Sequence, residues 1–236
     1  MPPVEGPFRD PEIPDGEESS FRGLIAGEEN GTGKLRVERI ERDGRSYCRQ
    51  LLSMRILGEA EYEGEMLFRR DSGQIVSESY RLETLHKGER VAVEEGYFRG
   101  VKTLQWGGVL EPFPRDVTAL LGCAVALRGL DFERDARRTF SLWLANTVHW
   151  EIESHMEQIE EVELPAGRFR AWRVRVRPDF TKIAGKLDSL IALVLPPFTL
   201  HFEAAPPHRF LRFEFPTGPF RWNPHGVVET TELSDA

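Results

Sequence analysis

From Lys34 onward apolar and polar positions alternate in runs broken by short turn signals. Leu35, Val37 and Ile40 lead to Asp43-Gly44; Tyr47 to Leu57 and Tyr62 to Phe68 flank Gly58; Asp71-Ser72-Gly73 and Lys87-Gly88 bound Ile75 to Leu85 and Arg90 to Phe98. Alternation with period two between glycine turns predicts an antiparallel up-and-down sheet. The same pattern returns in Thr139 to Leu144, Val148 to Val162, Phe169 to Val176, Thr199 to Ala204, Phe210 to Phe215 and Val227 to Leu233.

Two segments depart from it. Val117, Leu120, Leu121, Ala124, Leu127 and Leu130 recur at spacings of three and four behind Pro114 and Asp116, which predicts a short helix over 117–130. Ile183, Leu187, Leu190, Ile191 and Val194 line one face of a second helix over 182–195, stopped by Pro196-Pro197. The expected fold is mainly β: a strongly curved antiparallel meander or open barrel with one or two short helices packed on the concave side.

The stretch Glu160 to Arg177 reads as one long hairpin. With Pro165-Ala166-Gly167-Arg168 as its loop, Leu164 faces Phe169, Glu163 faces Arg170 and Glu160 faces Arg173, so that apolar residues meet apolar ones and acids meet arginines. The apolar phase slips near Glu160 and Glu161 and again near Ala171 and Trp172, which predicts a bulge and a bend. Arg168, Arg170, Arg173, Arg175 and Arg177 would suit phosphate. The facing glutamates favour a solvated outer face instead, with each exposed pair worth at most about 1 kcal/mol.

Composition narrows the function. A net charge of −8 and a pI near 5.4 argue against nonspecific binding to nucleic acid or acidic membrane, and favour a soluble acidic protein. Residues 1–20 are rich in proline and acid and predict a disordered tail ahead of one curved-sheet domain over 21–236. They lack the basic start and apolar core of a signal peptide, so the expected location of the chain as given is cytoplasmic, with export if a leader has been trimmed. The longest apolar run, Leu190 to Leu195, falls far short of the ~20 residues that span a bilayer. Cys48 and Cys123 are the only cysteines; their spacing shows no disulfide framework or zinc knuckle.

Candidate chemistry is sparse. His149, Glu151, Glu153 and His155 alternate with Val148, Trp150, Ile152 and Met156, so they share one strand face. Imidazole and carboxylate in that array, above all His149, Glu151 and His155, could hold zinc, iron or manganese. A polar outer face opposite an apolar inner one produces the same pattern. Trp106, Phe113, Trp143, Trp150, Trp172, Phe198 and Phe202 could line an apolar ligand pocket or fill a core. Lys34 follows Gly31-Thr32-Gly33 but precedes Leu35, where a phosphate loop needs Ser or Thr. No cofactor is expected.

The acidic strand into Leu164-Pro165-Ala166-Gly167-Arg168-Phe169 and Ala171-Trp172-Arg173-Val174 resembles a hairpin of an uncharacterised bacterial family of curved β-sheet proteins. In that family it follows a meander that Asp71-Ser72-Gly73-Gln74-Ile75 and Ser79-Tyr80-Arg81 match here. The resemblance implies a sheet curved around helices, similar to the lipoprotein carriers of the LolA and LolB type, in proteins that are usually exported. It brings no catalytic residues, and the 182–195 segment is longer and more apolar than the corresponding family link. The leading expectation is a binding protein for an apolar or amphipathic small molecule, lipids included. Alternatives are an open-barrel enzyme using the His/Glu strand as a metal site or as general acid and base, and an interaction module working through a sheet edge.

Overall fold

The structure is a computed structural model, described over residues 7–56, 59–104, 110–143, 149–179, 198–218 and 223–234. The chain forms β1 (Phe8–Arg9), β2 (Glu18–Ile25), β3 (Glu28–Arg42), β4 (Arg45–Ile56), β5 (Ala60–Asp71), β6 (Gln74–His86), β7 (Glu89–Tyr97), β8 (Lys102–Leu104), β9 (Leu110–Pro112) and β10 (Val117–Ala119). A helical segment follows, with α1 (Cys123–Ala126) between 3-10 turns Leu120–Gly122 and Leu127–Gly129. Then come β11 (Arg137–Trp143), β12 (His149–Leu164), β13 (Gly167–Pro178), β14 (Phe198–Glu203), β15 (Phe210–Pro216) and β16 (His225–Ser234). All but β8 and β9 belong to one 14-stranded sheet, in the order β1-β6-β5-β4-β3-β2-β16-β15-β14-β13-β12-β11-β10, with β7 also on β6. Pairing is antiparallel except between β10 and β11. The meander expected from alternation is therefore present, and it curls.

Four hairpins turn on two residues of positive φ, Ala26-Gly27, Asp43-Gly44, Ser72-Gly73 and Lys87-Gly88, a geometry that matches the right-handed strand twist. Sharp coiling needs room on the inner face, and glycine opposite an aromatic ring supplies it. Phe21 faces Gly33, Tyr80 faces Gly96 and Phe215 faces Gly226 across neighbouring strands. In each pair the ring occupies the place where a Cβ would stand, 2.4 Å from Phe21 Cε2 at Gly33 and 2.3 Å from Phe215 Cζ at Gly226.

Among the described residues, backbone pairing does not close the sheet. Its last strand, β10, lies beside β6, where Ser77 Oγ donates to the Val117 carbonyl at 2.6 Å. The helical segment fills the enclosed side, and the Gln50 side-chain Nε2 donates to the Leu121 carbonyl. Around it Val37, Met66, Phe68, Phe140, Ile152, Met156, Val174, Leu200 and Phe202 form one buried core with Val125, Ala126 and Leu127.

Three expectations need correction. Residues 7–20 are not a loose tail: Phe8 and Ile13 are buried, β2 begins at Glu18, and the segment straps the seam between β6 and β11. Arg138 donates to the Pro7 carbonyl at 2.6 Å and lies 5.0 Å from the centroid of the Phe8 ring, Asp10 pairs with Arg70, and Arg39 donates to the Ile13 carbonyl. Of the acids that suggested solvation, Asp10 pairs with Arg70 of β5, Glu17 with Arg128 of the helical segment and Glu18 with Lys34 of β3. Second, the hairpin turns on Pro165-Ala166 alone. Glu163 therefore faces Arg168, Glu160 faces Ala171, and the bulge sits between Met156 and Gln158. Third, 117–119 is strand, and the helix begins only at Leu120. The candidate helix 182–195 lies outside the described residues.

Beyond its bulge the hairpin presents Val162, Leu164, Phe169 and Ala171 to Leu211 and Leu233, a second small core on the opposite face from the first. Edge to edge, the register places Glu160 over β14, where its Oε1 lies 2.8 Å from His201 Nε2.

Candidate functional site

Register brings several strand ends to one end of the sheet. Leu142 pairs with Trp150, Ile152 with Pro178, Val176 with Phe198, and Phe215 with Gly226. On the inner face of that end Phe113, Trp143, Trp150, Phe198, Phe213 and Phe215 remain half-buried, although the inner face beyond them is filled. Phe198, Phe213 and Phe215 stack in series at centroid distances of 6.0 and 5.1 Å. A second series runs Tyr80, Phe98, Phe113 and Trp143, at 5.7, 5.2 and 5.3 Å.

The expected aromatic set thus divides. Phe113, Trp143, Trp150 and Phe198 stand at this rim; Trp172 packs half-buried against the core, and Phe202 is fully buried between Phe132 and Phe210. Trp106 lies outside the described residues. Sequence reasoning missed Tyr80, Phe98, Phe213, Phe215 and Glu94. The aromatic-over-glycine pair of Tyr80 and Gly96 could have signalled it, once the bulge near Thr84 and Leu85 had set the register.

One polar chain enters the rim. Trp143 Nε1 donates to Tyr80 Oη at 2.9 Å, and Tyr80 Oη donates to the Glu94 carboxylate. Burial first, then the bond to Glu94, pushes the Tyr80 phenol up to about 12, so it serves as a neutral donor. Opposite Leu82, Glu94 shares the inner face with Tyr80 and Gly96.

The His/Glu strand is occupied by ion pairs. Glu153 accepts from Arg137 at 2.8 Å and from Arg177 at 2.9 Å, and His155 Nε2 lies 3.5 Å from Asp135. Glu151 lies on the same strand face, opposite Ser141; of His149 only the backbone is described, opposite Trp143. Among the described residues no group of three or more His, Cys, Asp or Glu side chains is placed to hold a metal. Arg173 and Arg175 pair with Glu157, and Arg177 with Glu153, so these arginines serve the sheet surface. Burial pushes the Cys48 and Cys123 thiols up to about 12, and both are free, which disfavours the thiolate that a nucleophile requires.

The outer face carries two open grooves of about 390 and 580 Å³ that share Lys34, Ser53 and Glu63 and are lined mainly by charged side chains. Among the described strands β7 is an edge, with Val91, Val93 and Tyr97 60%, 45% and 61% exposed. Among the described residues, no helix is long and apolar enough to cross a membrane.

No protein-family model matches the chain, and no curated protein does. Among solved structures it is similar to a beta-barrel-like protein of the domain of unknown function DUF1849 from Brucella abortus, with 10% identity, a TM-score of 0.49, and coverage of 94% of this chain and 98% of that one. It is similar to a candidate exported protein with a YmcC-like fold from Bacteroides fragilis NCTC 9343 (10%, 0.34, 97% and 100%). A candidate lipoprotein from Parabacteroides distasonis ATCC 8503 gives 9%, 0.30, 98% and 100%. These similarities assign no activity.

Proposed function

We propose that the protein binds an apolar or amphipathic small molecule, lipids included, at the aromatic rim on the inner face. One observation carries the reading: Phe113, Trp143, Trp150, Phe198, Phe213 and Phe215 gather half-buried at one end of an otherwise filled inner face. Binding sites for small molecules are mostly apolar with a few placed polar groups, and the Trp143–Tyr80–Glu94 chain is such a group. The likeness to LolA and LolB carriers is part of this proposal as an analogy of body, and export is the part that the resemblance contributes.

Titration with N-phenyl-1-naphthylamine, whose emission rises in apolar surroundings, tests it. The full chain should give saturable enhancement, weakened about tenfold or more by Trp143→Ala and by Phe198→Ala, since a buried aromatic contact is worth on the order of 1.4 kcal/mol or more. Phe169→Ala, in the second core, should leave it unchanged. No enhancement, or equal effects of all three substitutions, would sink the reading.

A further inference from the structure

Among the described residues, the rim carboxylate of Glu94 has no cation beside it. Glu94 lies half-buried on the inner face, and its one partner among the described contacts is the neutral Tyr80 hydroxyl. This separates it from its neighbours. Glu95, on the outer face of β7, pairs with Arg81, as does Glu83 of β6; Glu78 lies 3.7 Å from Arg99. The nearest rim groups to Glu94 through Tyr80 are Trp143, Phe98 and Phe113. Their rings supply apolar contact and a negative π-face, but no positive charge.

A carboxylate beside aromatic rings attracts a cationic head group twice over, by its charge and by the ring quadrupoles, and it repels an anionic one. The interaction is strongest where the rings exclude water. We propose that the rim selects amphiphiles with a cationic head, an amine or quaternary ammonium, with Glu94 as the counter-charge. Tyr80 acts as a positioning residue: its hydroxyl, fixed by the Trp143 indole, holds one oxygen of the carboxylate, leaving the other for the ligand. The ring of Tyr80 is itself seated on Gly96, so the carboxylate and its anchor are held across one strand pair. This inference rests on the binding reading above and names the ligand's chemistry.

Displacement of N-phenyl-1-naphthylamine by three ten-carbon competitors of different charge tests it, all below their micellar concentrations: decyltrimethylammonium, decanol and decanoate. Decyltrimethylammonium should displace the probe at roughly tenfold lower concentration than decanoate, as one contact of the cation with the rings and the carboxylate implies. Glu94→Gln, which keeps an acceptor for Tyr80, should remove that difference. With the unaltered protein, raising the salt concentration should shrink the difference, a readout independent of any variant. Equal displacement by cation and anion, or stronger displacement by decanoate, would overturn the charge selection while leaving the binding site standing. Failure of the probe to bind at all would overturn both readings.

Discussion

Glycine 96 illustrates how single residues set this fold. A Cβ placed there would stand 2.1 Å from the Tyr80 ring, so Gly96→Ala must push the ring aside and loosen its bond to Trp143. Urea unfolding should show a loss of about 1–3 kcal/mol, the usual cost of overpacking, and Trp143 emission should change with it. A loss below about 0.5 kcal/mol would show that the ring yields freely. The pair Arg128 and Glu17 makes a similar point through charge. Their side chains are 1% and 4% exposed, and Arg128 also donates to the Pro207 carbonyl at 2.8 Å. Arg128→Met leaves Glu17 buried without its counter-charge, and should cost about 3–5 kcal/mol by urea unfolding, whereas the double substitution with Glu17→Leu should recover part of that loss. If the double variant is no more stable than Arg128→Met, the charge is not the source of the cost.

Among the elements, the β12–β13 hairpin was the most legible, because Glu-rich and Arg-rich strands around Pro165 admit few registers. Its exact pairing was not, since the slip lies at Glu157, where a polar residue leaves no mark in the apolar pattern. The hairpin also supplies a pH dependence. Burial raises the Glu160 carboxyl, but hydrogen bonds from His201 and Gln158 and the nearby Arg173 outweigh it and hold its pKa below the usual carboxylate value. A depressed folded-state pKa gives stability that is present above the unfolded value and lost as pH falls through the folded one. Acid unfolding should therefore be less steep in Glu160→Gln below about pH 4.5, the ordinary glutamate range. Identical acid limbs for the two proteins, followed by circular dichroism, would contradict this.

At the scale of the molecule, a mainly β body could be read from alternation and glycine turns alone. The N-terminal strap could not, because its acids and prolines read as disorder until Arg70, Arg39 and Arg138 are seen to receive it. The candidate site was half legible: the aromatics were visible, but only register separates the rim residues Trp143, Trp150 and Phe198 from the buried Phe202. Closure by side chains, Ser77 to Val117 and Trp143 to Tyr80, also escapes a one-dimensional pattern, since it joins strands far apart in sequence. The proposed role of this curled sheet is to keep its rim for an apolar or amphipathic guest. Native mass spectrometry of the freshly purified full chain tests it most directly. The spectrum should show an added mass of one small molecule, removed by organic extraction and reduced by Trp143→Ala; bare protein that also takes up no added decyltrimethylammonium or decanol would rule that role out.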